Sequence, residues 1–214
     1  MLVLSVAVVI AMARPAVAGQ GDIVVNSFDK ADEVQNWSPW FGDLSPAIVF
    51  DGSKDAGNST NSGSMKVTVK FNQVAADDNQ FTIRGALGKD GNLETVTVDA
   101  AKYDSVQFDL NWATNSPVRA SGDMGVLDVG LVLTDYSQIW LPETHVAKKD
   151  GWQHLTLPIK PSTNSLENVG GIVLKMWADD PKWGLTGTAT FWIDNVKLTA
   201  KSAPAADKPK ADAK

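Results

Sequence analysis

Residues 105–112 read SVQFDLNW. Val106, Phe108, Leu110 and Trp112 alternate with Gln107, Asp109 and Asn111, the period of two that sends successive side chains to opposite faces of a strand. The stretch therefore predicts a half-buried strand. The pattern recurs in DVGLVLTD (128–135), where Val129, Leu131 and Leu133 oppose Gly130, Val132 and Thr134. Short runs of similar character surround these two: DIVVNSF (22–28), SPAIVF (45–50), SMKVTVKF (64–71), QFTIRGAL (80–87), ETVTVDA (94–100), QIWLPETHV (138–146), WQHLTLPI (152–159), GGIVLKMWA (170–178) and FWIDNVKL (191–198). Between them lie segments rich in turn formers, such as DGSKDAGNSTNSGS (51–64) and GKDGN (88–92). No long segment carries a helical apolar period; KADEVQNW and SLENVG each supply one helical turn at most. Many short strands at about 8–12-residue spacing predict an all-β chain. A two-sheet antiparallel β-sandwich of the jelly-roll kind is expected ahead of an immunoglobulin sandwich or a single-sheet barrel.

The ends read differently. Residues 1–13, MLVLSVAVVIAMA, are apolar, and Ala16 and Ala18 precede Gly19 in the small-residue pattern of a secretory cleavage site. Residues 1–18 are expected to be a signal peptide, 19–199 the folded domain, and 200–214 a disordered tail of Ala, Pro, Lys and Asp. The predicted location is secreted or otherwise extracytoplasmic, in a periplasm or on a cell surface, without stable membrane insertion after cleavage. There is no cysteine, so disulfides and thiolate metal sites contribute nothing. A formal charge of −6 without basic clusters argues against nucleic acid.

FWIDNVKL poses a separate question, because Asp194 and Asn195 interrupt a run of strand-forming residues. A buried carboxylate must be hydrogen-bonded, paired or metal-bound. Two readings stand: a bulge capped by local hydrogen bonds, or a ligand to an ion.

An ordered set of pieces resembles the jelly-roll carbohydrate-binding modules appended to secreted glycoside hydrolases, the galactose-binding-like β-sandwich group. The pieces are VNSFD with NWSPW, NSGSMKVTVKF, VQFDLNW, VGLVLTDYSQIWLPE, GWQHLTLPI and TFWIDNVKL, spanning Val24 to Leu198. The resemblance implies polysaccharide or oligosaccharide binding on a concave sheet. It also implies a structural calcium ion held by an acid after the first strand and by the acid of the closing strand. Carried over, these are Asp29 and Asp194, with the 55–64 loop supplying oxygens that include Asp55. The Glu that often precedes the S-G-x segment in that group is missing here.

The chain holds eight Trp and two Tyr. Indole rings stack on the C–H faces of sugars while polar groups meet the hydroxyls, so a binding face needs both. The alternation supplies Gln107, Asp109, Asn111, Lys175 and Trp177 opposite the core residues Ile172, Leu174 and Met176. Tyr136, Trp140, Glu143 and Arg84 are expected to join them. Trp112 and Trp152 are read as packing residues; Trp37, Trp40 and Trp183 are as readily packing as contact. A register slip of one residue inverts these assignments.

Catalysis has weaker support. Glycosidases place two carboxylates about 5–9.5 Å apart around the bond they cut, and the E-x-D-x-x-E strand signature is missing. Asp135 and Glu143 lie near one another without forming a recognisable pair. His145 and His154 are too isolated for His-based metal chemistry. A non-catalytic glycan-binding protein is the expected function, with a structural or adhesive surface protein as the alternative.

Overall fold

The computed structural model describes residues 21–42, 44–71, 80–118, 122–147, 150–160, 165–177 and 186–201. The expected signal peptide, Trp183 and tail residues 202–214 lie outside them. Among the described residues twelve strands follow in order: β1 (Ile23–Asn26), β2 (Trp37–Pro39), β3 (Ala47–Asp51), β4 (Ser64–Phe71), β5 (Gln80–Ala86), β6 (Tyr103–Trp112), β7 (Asp123–Leu133), β8 (Gln138–Trp140), β9 (Thr144–Ala147), β10 (Trp152–Pro158), β11 (Val169–Trp177) and β12 (Gly187–Ala200). They form two antiparallel sheets. The first runs β10-β6-β12-β4-β3, with β1 also on β12; the second runs β2-β5-β11-β7-β8, with β9 also on β7. The protein is a two-sheet β-sandwich, as the alternation predicts.

The core lies between the sheets. From the first come Val106, Phe108, Leu110 and Trp112 of β6, and from the second Val129 and Leu131 of β7 with Ile172, Leu174 and Met176 of β11. Trp112 stacks on Phe191 with centroids 5.5 Å apart and planes at 12°. Each such residue, fully buried, contributes about 1.5–3 kcal/mol relative to exposure. Every inward assignment made for β6, β7 and β11 holds.

Three expectations at element level need correction. ETVTVDA is not a strand: Val98 makes one isolated bridge to Val169, and Thr95 Oγ1 donates to Asp90 Oδ2 at 2.6 Å, curling the stretch into a loop. QIWLPETHV divides into β8 and β9 around Pro142, which has no N–H for a ladder. KADEVQNW supplies a six-residue 3-10 helix at Ala31–Asn36, longer than the one turn expected, whereas SLENVG forms only a turn, with Asn168 at φ 58°. At the end of the described residues Ala200 pairs with Tyr103 and Lys201 N–H donates to Lys102 O.

Candidate functional site

The register of the second sheet orders the side chains on its outer face into rows. Ser38, Arg84, Val173, Gly130 and Trp140 lie side by side across β2, β5, β11, β7 and β8. The next row holds Thr82, Lys175 and Asp128, and the one beyond it Gln80, Trp177 and Val126. On the other side of the first row stand Ala86, Gly171, Val132 and Gln138.

This face has a small apolar floor. Ala86, Leu93, Val132 and Val173 form a buried cluster separate from the main core, with Trp40 packed against it. Leu93 comes from the 88–97 loop, which presses onto bare backbone: a Cβ on Gly170 would lie 1.9 Å from Leu93 O. Only glycine permits that approach. The loop thus walls one end of the face.

Two exposed rings belong to β8 and to the β7–β8 turn of this sheet. Trp140 is 41% exposed, and its Cε3 and Cζ3 carbons lie 3.0 and 3.3 Å from where a Gly130 Cβ would stand. A side chain at Gly130 would lift the indole off the sheet. Tyr136 is 52% exposed and its backbone is left-handed at φ 67°, which costs a non-glycine residue about 1–2 kcal/mol. The β7–β8 turn holds it there: Tyr136 N–H donates to Leu133 O at 3.0 Å, and Leu133 N–H to Ser137 O at 3.0 Å. An exposed aromatic ring kept at a strained position does nothing for packing and points to a contact with something else.

Between these rings lies a fixed cation. The Arg84 guanidinium is 5.4 Å from the Trp40 ring centroid and 5.6 Å from that of Tyr136, within cation–π range of both. Lys175 Nζ sits 4.7 Å from the Trp177 centroid. Thr82 Oγ1 and Trp177 Nε1 are buried polar atoms without protein partners. Such groups are costly when buried without a partner; Thr82 lies in the row that carries Lys175 and Trp177 in the row beyond it.

The residues expected to form one binding face divide between two. Arg84, Tyr136, Trp140, Lys175 and Trp177 come together on the second sheet. Gln107, Asp109 and Asn111 decorate the outer side of β6 in the first sheet, across the core from the others. Alternation fixes which way a side chain points relative to its own strand but not which sheet the strand joins. Asp109 is also engaged: His154 Nδ1 lies 2.8 Å from its Oδ1, and Asn195 Nδ2 donates to its Oδ2 at 2.9 Å. Trp152, expected to pack, is instead a partly buried outer-face residue opposite Asn111. Trp40 and Asp128 belong to the second-sheet face and were not singled out for it; the DVGLVLTD alternation placed Asp128 beside Gly130 on the outward side.

Asp194 and Asn195 form a bulge. The register between β12 and β6 shifts between Asp194 and Lys197, Asn195 has φ 52°, and Asn195 N–H donates to Asp194 Oδ1 at 2.7 Å. The other carboxylate oxygen accepts Ala56 N–H at 2.9 Å, tying the 52–63 loop across the first sheet. Asp194 has no exposed surface. Desolvation, opposed by these amides and abetted by Asp55 and Asp109, pushes its pKa up to about 6.

The calcium set Asp29, Asp55 and Asp194 does not assemble as a trio. Asp29 accepts the hydroxyls of Ser27 at 2.7 Å and Ser62 at 2.8 Å, and these hold its carboxyl below the ordinary range, Ser27 foremost. Among the described residues no group of three His, Asp or Glu side chains is spaced to hold a metal. Asp55 lies close enough to Asp194 for their charges to repel.

Comparison with solved structures places this architecture. CBM27-1 of Caldicellulosiruptor saccharolyticus, in complex with mannohexaose, superposes with a TM-score of 0.59 at 16% identity, covering 86% of this chain and 100% of that one. The chain has the fold of the carbohydrate-binding modules. The family 11 carbohydrate-binding module of the cellulosomal cellulase Lic26A-Cel5E of Clostridium thermocellum shares this module fold with a TM-score of 0.53 at 12% identity, covering 88% of this chain and 100% of that one. The arabinose-bound α-L-arabinofuranosidase MgGH51 contains it too, with a TM-score of 0.56 at 12% identity; the match covers 86% of this chain and 27% of the enzyme. No family model matches the sequence, and no curated protein matches it.

Proposed function

We propose that this chain is a non-catalytic, secreted carbohydrate-binding protein that holds a polysaccharide or oligosaccharide on the outer face of the second sheet. The observation that carries the reading is the Arg84 guanidinium fixed between the Trp40 and Tyr136 rings, in the row that also carries the exposed Trp140. A sugar chain meets two needs of that face at once. Its C–H surfaces cover Trp140, Tyr136 and Trp177, and its hydroxyls accept from Arg84 and Lys175. Preorganisation of Arg84 lowers the entropy lost when it engages a hydroxyl. That matched structures include a module solved with mannohexaose supports the same ligand class.

The non-catalytic part rests on Asp135, the acid of the β7–β8 turn beside the proposed face. Asp135 accepts Ser137 Oγ at 2.6 Å and Ser137 N–H at 3.0 Å, and these hydrogen bonds, the hydroxyl first, hold its carboxyl below the ordinary range. A general acid needs the opposite shift.

Native electrophoresis through gels containing soluble β-glucans, mannans, xylans or pectins tests the function. At least one polymer should retard the protein, and Tyr136→Gly should weaken that retardation while raising stability by about 1 kcal/mol, because glycine adopts positive φ without strain. A variant that is both more stable and equally retarded would remove Tyr136 from the site.

For calcium the proposal narrows to Asp55 and Asp194, where an ion would neutralise a desolvated carboxylate using oxygen ligands. A chelator should lower the melting temperature at neutral pH, and Asp194→Ala should abolish the effect. A melting curve indifferent to chelator would set this part aside without touching the sugar-binding face.

A further inference from the structure

The outer face of the first sheet, across the core from the proposed site, carries a concavity of its own. Residues 52–59 fold over it and leave a cavity of about 430 Å³ lined by Lys54, Asp55, Asn58, Ser59, Asn111 and Trp152, among others. That volume lies within the range of about 300–1,000 Å³ usual for small-molecule sites. Register builds its floor. Trp152 lies opposite Asn111 and Asn111 opposite Trp192, so an indole, a carboxamide and a second indole stand side by side across β10, β6 and β12.

The two indoles differ in what they have left to offer. Trp192 is 9% exposed, donates from Nε1 to Asp51 Oδ2 at 2.9 Å, and has Lys54 Nζ 5.2 Å and Lys66 Nζ 6.0 Å from its centroid. Its ring is committed to the fold. Trp152 opens the edge strand β10 and borders the cavity directly. The opposite wall is held in place: Ala56 N–H donates to Asp194, and Ser59 N–H donates to Asp55.

The lining selects a ligand class. One cation and one anion offset each other, and the remaining hydroxyl and carboxamide groups both donate and accept around an indole. A phosphate would meet Asp55. A purely apolar ligand would desolvate several polar side chains without pairing them. A pyranose places its C–H face on Trp152 and its hydroxyls among Asn58, Ser59 and Asn111. We propose that this cavity is a second saccharide site, taking one sugar residue or a chain end. It shares no residue with the second-sheet face and stands independently of that reading.

The test is a titration of the full-length ¹⁵N-labelled chain in chelator with D-glucose, D-mannose, D-galactose and D-xylose, performed on the Trp140→Ala background to weaken the other face. The Trp152 indole N–H and the amides of Asp55, Asn58 and Ser59 should shift saturably with at least one sugar. Trp152→Ala should remove the loop shifts, and Asn58→Gly, which removes the carboxamide while keeping the left-handed backbone at φ 55°, should weaken binding several-fold without altering the fold. Silence of these resonances with every sugar, or shifts that survive both substitutions, would overturn the proposal. Perturbation of Lys175 and Trp177 in the protein with Trp140 intact reports the other face separately, so either site can fail alone.

Discussion

Acidification from about pH 7 to about pH 4.5 in the presence of chelator will raise the unfolding free energy of this protein by on the order of 2 kcal/mol. The source is Asp194. Its folded-state pKa of about 6 lies above the ordinary value of 3.8, with desolvation the largest cause. Between those two values the folded chain binds more protons than the unfolded chain, so stability falls as pH rises. The contribution is fully present below the lower value and lost as pH passes the upper one. The carboxylate has no exposed surface but lies under a single loop, and solvent screening there trims the full linkage value. Further acidification reverses the trend, because Asp29, Asp90 and Asp135 are held low, foremost by the hydroxyls of Ser27, Thr95 and Ser137, and lose those interactions on protonation. Stability should therefore peak on the acid side of neutrality.

Asp194→Ala sharpens the case. It removes the titrating group, so the gain between about pH 7 and about pH 4.5 should vanish. It also strands the N–H groups of Ala56 and Asn195, each costing about 1–3 kcal/mol if left buried and unpaired. Urea denaturation at a series of pH values measures both effects. A wild-type midpoint flat across this range, or an Asp194→Ala variant that keeps the gain, would show that the desolvated carboxylate does not control acid-side stability.

How far the sequence could be read follows from what each local signal encodes. SVQFDLNW and IVLKMW gave the inward and outward residues correctly because strand alternation is a property of one strand alone. The same signal says nothing about sheet membership, and so it grouped Gln107, Asp109 and Asn111 with Lys175 and Trp177. Only the order β10-β6-β12-β4-β3 against β2-β5-β11-β7-β8 separates them. Asp194 was visible as an anomaly in its strand, and the bulge reading anticipated its bond to Asn195. Its second partner, Ala56, belongs to a loop distant in sequence and carried no local signal. Trp40 was ambiguous for a related reason. Its place beside Arg84 depends on a three-residue edge strand, β2, too short to show a period. Gly130 gave no hint of being a seat for Trp140 until β7 and β8 were aligned.

Trp140→Ala carries the second large effect. The ring is exposed and rests on Gly130, so its removal should leave folding unchanged while weakening glycan affinity by about 2 kcal/mol, the size of an interfacial aromatic anchor, or ~30-fold. Arg84→Ala should act comparably, since it removes a preorganised donor and frees the Trp40 and Tyr136 rings it bridges. The two residues share one row across the sheet, and their effects should combine non-additively. Trp192→Phe, on the far sheet, is the control, because it keeps an aromatic ring under Lys54 and Lys66 and should leave this affinity unchanged.

Calorimetric titration of the wild type, Trp140→Ala and Arg84→Ala with an oligosaccharide of whichever polymer retards the protein is the most direct test of the second-sheet face. Saturable binding by the wild type, lost in both folded variants, is the predicted result. Wild-type affinity retained in both variants, or no polymer on the panel retarding the protein at all, would contradict it.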